Sequence, residues 1–529
     1  MIGTKAYLFA SGDLRIAANK TCWPAQENLE KKLVAALSRF GMEVVRGHPY
    51  KADVAHGFLA SQREGMDAFA DIDTDAPVIV AIAAWQYSHH VLPGLTTHKG
   101  PILTIANWSG QWPGLVGMLN LNGSLTKAGV NYTSLWSETL EDEFFLNGLQ
   151  EWVESGQVAH DTSHVRPFDT SSVPAELDRI AERIAADLRK NKTILGVFDE
   201  GCMGMFNAIV PDHLMMPMGM FKERLSQSTL YYETMQVPVE EGETILAWLR
   251  GRGMSFHIGT DPETELTEEQ LVDQCRMYVA AVRLADRFGC EAIGIQYQQG
   301  LKDLLPASDL AEGLLNNDDR PPVSRGDGSI IRDGQTIVHF NEVDECAGID
   351  GILTNRIHRA LGQPVETTLH DLRWGADDPD TGRFTWVFEI SGAAPPAHHV
   401  DGYKGTDSQR QPAMYFRLGG GTVRGIAKPG DIVWSRIFVA ENALHMDIGV
   451  GEAVRLSQAE VDRRRKETSP QWPIMNAVLK GVTRDQMMAR HKANHIHVAY
   501  AKTAEEALNA AIAKAALASK LGVNVHWCG

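Results

Sequence analysis

The segment HKANHIHVAY at residues 491–500 places three histidines within ten residues. Successive side chains of a strand point to opposite faces, so a strand here puts His495 and His497 on one face. An alanine-rich helix capped by Thr503 follows, and then a final strand, VNVHW (523–527). The histidines are therefore core or subunit-contact residues, or one of them binds a metal ion.

The size and charge of the chain restrict the class of protein. Its 529 residues are too many for one core and predict two to four domains. The net charge of −17 repels phosphate backbones and anionic membranes. No apolar run approaches the roughly 20 residues of a transmembrane helix, and the N-terminal one is too short for a signal peptide. Neither a nucleic acid nor a membrane is expected as a partner.

The spacing of the cysteines indicates the redox compartment of the protein. The six cysteines are scattered without CxxC spacing. They predict reduced thiols in a cytoplasmic protein, and they exclude a disulfide framework or a zinc ribbon.

Secondary-structure signals divide the chain into three parts. Strand and helix signals alternate over residues 1–190 and again over 191–354. They include helices predicted at 175–190 and 348–361, a strand at 193–198, and a helix that a capping box at Thr267 opens and that runs to 288. This alternation predicts two Rossmann-like α/β domains, each a parallel sheet with helices on both faces. Over residues 355–529, strands are joined by glycine, proline and aspartate turns, which is typical of a mixed, more antiparallel, β-rich domain. We therefore expect an α/β protein of three domains, with the C-terminal one contributing metal ligands.

Carboxylates and histidines stand together in three short segments. These are FNEVDE (340–345), with Glu342 and Asp344 two residues apart, LHDLRW (369–374), with Asp371 expected at the end of a strand, and ANHIHVAY (493–500). In α/β sheets, ligands bind beyond the carboxyl ends of the strands. Two carboxylates and one imidazole suit a divalent ion such as Mn²⁺ or Mg²⁺, with positions left open for substrate oxygens.

Each segment also has a purely structural explanation. Glu342 can be a helix N-terminal acid stabilised by the macrodipole. Asp371 beside Arg373 can be a surface ion pair, and a lone strand histidine is more often structural than a ligand. Only the joint pattern favours a metal site.

The order of these motifs resembles that of the L-fucose isomerase family, metal-dependent aldose–ketose isomerases related to L-arabinose isomerase. The motifs that carry the resemblance are GIQYQQGLKD (294–303), NEVDECAG (341–348), LHDLRW (369–374), SGAA (391–394), SPQWP (469–473) and ANHIHVAYA (493–501). It covers residues 190–529. The first 190 residues match only in outline, through SGDLR (11–15) and AAWQY (83–87).

The resemblance implies a set of metal ligands. Glu342, Asp371 and His495 take the family's ligand positions, and Glu342 and Asp371 would also be the catalytic acid and base. The implied cofactor is Mn²⁺, with Mg²⁺ or Co²⁺ as alternatives. An insertion falls between residues 345 and 370, so Glu345 is a second choice for the first carboxylate. His491 and His497 receive no role.

The resemblance also implies substrate contacts, namely Arg15, Trp85, Gln298, Trp472 and Asn494. It implies a monosaccharide substrate and a homo-oligomer, a hexamer, in which Trp85 crosses a subunit contact. Residues 395–399 (PPAHH) depart from the family pattern, so the sugar stays open between a 6-deoxyhexose, a pentose and a C6-anionic hexose such as a sulfo-sugar. A metal-dependent lyase or epimerase on the same scaffold is the alternative enzyme, and a non-catalytic sugar-binding relative is the alternative outside enzymes.

Overall fold

Alternating strands and helices at the N-terminus build a five-stranded parallel sheet in the computed structural model, which describes residues 2–529. Its strand order is 2-1-3-4-5. The strands are β1 (Lys5–Phe9), β2 (Glu43–Arg46), β3 (Val78–Ile82), β4 (Ile102–Asn107) and β5 (Thr133–Ser137), and the helices are α1 (Ile16–Ser38), α2 (Gln62–Ala70), α3 (Leu92–Leu95), α4 (Gly114–Lys127) and α5 (Glu143–Ser155).

Helix α1 is longer than its leucine spacing predicts. The stripe of Leu29, Leu33 and Leu37 indicates a helix over 25–41, and all three leucines are buried. The helix nevertheless begins nine residues earlier, at Ile16, and contains Pro24. Because proline is normally found only in the first turn of a helix, the sequence pattern does not predict a helix that extends through Pro24.

A second parallel sheet follows, in which β11, β10, β7 and β8 lie side by side. The capping box predicted at Thr267 is present at the start of α10. The elements of this part of the chain are the strands β6 (Val165–Pro167), β7 (Thr193–Phe198), β8 (Met220–Leu225), β9 (Ser255–Phe256), β10 (Cys290–Ile295) and β11 (Val338–His339), and the helices α6 (Ala175–Asn191), α7 (Asp212–Met215), α8 (Gln227–Gln236), α9 (Val239–Gly251), α10 (Glu268–Arg287), α11 (Asp309–Leu315) and α12 (Glu345–Leu361).

The C-terminal part forms a closed antiparallel barrel. Its six strands follow the order β15-β18-β12-β13-β17-β16, and β16 pairs back with β15. The remaining elements are the strands β12 (Thr367–Asp377), β13 (Phe384–Glu389), β14 (Asp407–Ser408), β15 (Gly430–Ala440), β16 (Ala443–Ala453), β17 (Ile474–Leu479), β18 (His495–Tyr500) and β19 (Asn524–Cys528), and the helices α13 (Gln458–Lys466), α14 (Arg484–Arg490) and α15 (Ala504–Lys520). The predicted fold class, two parallel α/β sheets and a mixed β-rich unit, is confirmed.

The three parts are tied together. Strand β19 runs parallel to β16, and β6 pairs antiparallel with β19, so a strand from before residue 190 extends the C-terminal sheet. Helix α6 packs on α15, and α12 packs on α15, β12 and β18. The domain limits at 190 and 354 stay predictions. Helix α12 carries the segment after Glu342 against the strand that bears His495.

The six cysteines are free and buried. Across residues 2–529, the helices all lack the combination of length and apolarity that a bilayer-crossing span requires.

Candidate active site

Glu342 lies just beyond the carboxyl end of β11, in a strained turn. Its φ is +58° and that of Val343 is +55°, a left-handed conformation that is rare outside glycine and costly for a β-branched residue. Such strain concentrates at functional sites. The buried Glu342 carboxylate accepts hydrogen bonds from Gln298 Nε2 at 3.3 Å and from Ser391 Oγ at 3.4 Å. The turn thus aims this side chain inward.

Asp371 and His495 face each other across adjacent strands of the barrel. They are direct partners in the antiparallel register of β12 and β18. Asp371 therefore lies within a strand, and its expected position at a strand end is wrong, because β12 continues to Asp377. His495 Nε2 is 3.5 Å from Asp371 Oδ1 and 3.7 Å from Glu342 Oε2. Asn494 Nδ2 donates to Asp371 Oδ1 at 3.2 Å.

The two ring nitrogens of His495 have different surroundings. Nδ1 lies 2.8 Å from Asp344 Oδ2. Nε2 is buried and has no hydrogen-bond partner. A buried polar atom without a partner costs free energy, so a nitrogen that faces two carboxylates fits a site for a cation.

The candidate donor atoms of Glu342, Asp371 and His495 lie close together, but they are not arranged as ligands of one ion. As the side chains lie, no three His, Cys, Asp or Glu groups within residues 2–529 are arranged to hold a metal ion. Ligand bonds of about 2.0–2.5 Å place two ligands of one ion roughly 3–4 Å apart. The separations of 3.5 and 3.7 Å from His495 fall within that range. The chemistry of the donors therefore fits a divalent ion after small side-chain rotations.

Burial shapes the acid–base behaviour of these groups. It raises the pKa of Glu342 to about 7, with Asp371 adding to the rise and His495 opposing it. Burial also raises the pKa of Asp371, again opposed by His495. For His495, burial alone would lower the pKa, but the hydrogen bond to Asp344 and the charge of Asp371 raise it. A cation among these groups would favour the ionised carboxylates.

A cavity opens onto the carboxylates of Glu342 and Asp371. Four of the five predicted substrate contacts line it, and the fifth, Asn494, contacts Asp371 instead. The lining residues are Arg15, Trp85, Pro113, Val116, Met203, Gln298, Glu342, Asp371, Arg373, Ser391, Tyr415, Phe416 and Trp472.

Both arginines of the cavity have buried carboxylate partners. Arg15 donates to Asp13 from Nε at 2.8 Å and from Nη2 at 2.6 Å. Arg373 Nε lies 3.4 Å from Glu389 Oε2 and donates to the carbonyl of Gly110 at 2.9 Å. The interpretation of Arg373 as a surface partner of Asp371 is therefore wrong, because its side chain is 2% exposed.

Trp85 lines the cavity of its own chain. The expectation that Trp85 also crosses a subunit contact stays a prediction. The turn 83–87 follows β3 directly, which brings the indole to the cavity without a second subunit.

Glu345, the second choice for the first carboxylate, points elsewhere. It lies 2.7 Å from Lys222 Nζ and accepts the backbone N–H of Val210 at 2.6 Å. Helix α12 begins at Glu345, and the strained turn before it sends Glu342 and Glu345 in different directions.

The other histidines also lie outside the cavity. His491 Nε2 is 2.9 Å from the carbonyl of His495, and His497 Nδ1 is 3.9 Å from Asp350. In the segment 395–399, His398 contacts the Glu366 carbonyl and His399 contacts Thr406. The departure of this segment from the family pattern therefore does not alter the cavity wall.

Several cavity residues were not singled out from the sequence. Tyr415 packs under the Arg15 guanidinium at 4.9 Å, and Met203 and Phe416 add apolar wall. Ser391 was noted only as part of the SGAA turn. Only that turn carried a usable sequence signal, since the others stand in no recognisable motif.

Residues 391–525 match the family model described as L-fucose isomerase, C-terminal domain. This match confirms the resemblance over residues 391–525 and supports the L-fucose isomerase family, whose name is that of a sugar isomerase. It contains His495, Asn494 and Trp472 and ends before the last strand is complete. No curated protein matches the chain significantly.

Proposed function

We propose that this protein is a metal-dependent isomerase that interconverts an aldose and its ketose through an enediol. The observation that carries the proposal is the buried, unpartnered Nε2 of His495, which faces the carboxylates of Glu342 and Asp371 at a cavity lined by aromatic and polar side chains. The family match of the C-terminal domain supports the same reaction class.

Glu342, Asp371 and His495 would hold the divalent ion, for which Mn²⁺ is proposed and Mg²⁺ or Co²⁺ are alternatives. Their two carboxylates and neutral imidazole are donors that such ions accept. When bound, the ion would supply Lewis-acid stabilisation of negative charge on the sugar oxygens.

Isomerisation moves a proton from C2 to C1 while the hydroxyl and carbonyl groups exchange places. Glu342 and Asp371 both line the cavity, so each carboxylate can accept a proton from one carbon and return it to the other. Gln298 and Ser391 donate to Glu342 Oε1 and hold its orientation. Trp85 and Trp472 offer aromatic faces to sugar C–H groups.

The charge balance of the cavity favours an uncharged sugar. Its two cations, Arg15 and Arg373, already pair with Asp13 and Glu389. A C6-anionic sugar would therefore meet cations whose charge is already offset by buried carboxylates. A neutral pentose or hexose is therefore the proposed substrate class.

The test is a panel of neutral and C6-anionic aldoses, assayed for ketose with Mn²⁺ and after chelation by EDTA. We expect ketose from a neutral aldose only in the presence of the ion. Cleavage of the carbon chain would indicate a lyase, and a C2-epimer an epimerase. Sugar binding without any product would indicate a non-catalytic relative. The matched variants are Glu342→Gln, expected to be inactive, and Glu345→Gln, expected to be active.

A further inference from the structure

Three hydrogen-bond donors converge on one buried carboxylate beside the site. Asp344 Oδ1 accepts the backbone N–H of Ala347 at 3.0 Å, which caps helix α12. Its Oδ2 accepts from Arg436 Nη1 at 2.5 Å and lies 2.8 Å from His495 Nδ1. The Asp344 carboxylate is therefore held by three contacts: with the first turn of α12, with Arg436 on the barrel strand β15, and with the imidazole of His495.

The geometry points to Asp344 as the positioning residue that makes His495 a metal ligand, an inference that rests on the proposed function. An ionised carboxylate has only acceptors, so the proton between the two groups belongs to Nδ1. Nε2 then carries the lone pair directed at Glu342 and Asp371. Outer carboxylates of this kind set the tautomer and orientation of ligating histidines.

Arg436 and the helix cap explain why this carboxylate keeps its orientation. Arg436 is buried in the barrel, and its Nη1 pairs with Asp344, so each of these buried charges has an opposite charge beside it. The cap joins the same carboxylate to the first turn of α12. Rotation of Asp344 away from His495 would break both contacts.

A second carboxylate on the same helix offers a matched control. Asp350 lies six residues after Asp344 and is also fully buried beside a cation, Lys514. It lies near His497, two residues after His495, but at 3.9 Å from Nδ1, too far for a hydrogen bond. Both carboxylates are buried at the same helix, and each pairs with a cation. They differ in that only Asp344 lies within hydrogen-bond distance of the nearby histidine.

The experiment compares Mn²⁺ affinity in Asp344→Asn and Asp350→Asn, measured by electron paramagnetic resonance of free Mn²⁺, together with the unfolding temperature. An amide at 344 cannot accept from Ala347, Arg436 and His495 at once, because one of its two atoms is a donor. We expect Mn²⁺ to bind Asp344→Asn about 10–100-fold more weakly than wild type, and Asp350→Asn within about threefold of it. Both variants should unfold at lower temperature, since each leaves a buried cation without its partner.

Equal Mn²⁺ affinity in wild type and Asp344→Asn, or an equal loss in both variants, would overturn the inference. If Asp344→Asn does not fold, Asp344→Asn/Arg436→Gln replaces the ion pair with two amides. It is expected to show the same loss, and retained affinity there overturns the inference equally. Absence of Mn²⁺ binding by wild type, or undiminished binding by His495→Ala, would instead reject the proposed function.

Discussion

At the scale of single residues, two histidines on one strand face differ in the carboxylates that neighbouring segments present to them. Strand periodicity places His495 and His497 together, and the sequence alone does not separate their roles. In the structure, His495 faces Asp344, Asp371 and Glu342, whereas His497 faces Asp350 at 3.9 Å. The difference comes from a different part of the chain, which is why motif order was needed to choose between them.

His495→Ala should lower Mn²⁺-dependent turnover at least about 100-fold, since loss of a direct ligand should exceed loss of an outer-shell contact. His497→Ala should retain turnover within about threefold and mainly reduce stability, because its ring packs in the core without contacting the cavity. Turnover at saturating Mn²⁺ and thermal unfolding of both variants check this. An inactive His497→Ala beside an active His495→Ala would mean that the ligand assignment is displaced by two residues.

The choice between Glu342 and Glu345 gives a second prediction. Glu345→Gln should keep wild-type Mn²⁺ affinity, because Glu345 contacts Lys222 and the Val210 backbone. It should destabilise the fold by about 1–3 kcal/mol, since a buried charged hydrogen bond is lost. Glu342→Gln should weaken Mn²⁺ binding without destabilising the fold. Calorimetric titration and urea unfolding of both variants provide the measurements, and an exchange of the two outcomes would contradict the assignment.

At the scale of elements, the packing of α12 on the barrel sets the position of the site. The sequence predicts this helix over 348–361, but it begins at Glu345, because Asp344 supplies the cap. Gly351 lets the helix approach closely: a Cβ there would lie 2.6 Å from Val338 and 3.5 Å from His497 Nε2. The distance between α12 and β11 therefore depends on a residue without a side chain.

Gly351→Ala should destabilise the protein by about 1–3 kcal/mol through overpacking. Gly251→Ala is the matched control, since it also lies in a helix but a Cβ there meets no atom within 4 Å. That change should be neutral or stabilise by up to about 1 kcal/mol, because alanine favours helix. Chemical denaturation of both variants measures the difference, and equal stability would show that α12 is not closely packed at Gly351.

The bounds of individual helices and strands were predicted more accurately from the sequence than the contacts between these elements. Strand β7 was predicted at its observed bounds, and α6 and α10 to within a residue or two at each end, because caps and periodicity are local signals. Closure of the barrel by β15 and β16 was not predicted. Strand pairing is set by side-chain packing between distant segments, and a single sequence does not display it.

At the scale of the whole molecule, the cavity draws on all three parts of the chain. Arg15, Trp85, Pro113 and Val116 come from the N-terminal part, Met203, Gln298 and Glu342 from the second part, and the remaining lining residues from the C-terminal part. The family motifs identified the residues nearest the proposed ion. Partners such as Asp13 for Arg15, and Glu389 for Arg373, were not predicted, because no motif indicated them.

Oligomeric state is a prediction that rests on resemblance. We expect a homo-oligomer, a hexamer of six 58.2 kDa chains. Because Trp85 lines the cavity of its own chain, a dissociating interface variant should keep the Mn²⁺ site even if its stability falls. Sedimentation equilibrium alongside turnover tests this, and a fully active wild-type monomer at working concentration would rule out the expected assembly.

The central claim is that Glu342, Asp371 and His495 hold one divalent ion. Its most direct test is a crystal structure of the protein grown with Mn²⁺, with the ion located by anomalous scattering. We expect a single strong peak within about 2.0–2.5 Å of side-chain atoms of all three residues. An ion bound elsewhere, or no peak near these residues at saturating Mn²⁺, would contradict the claim.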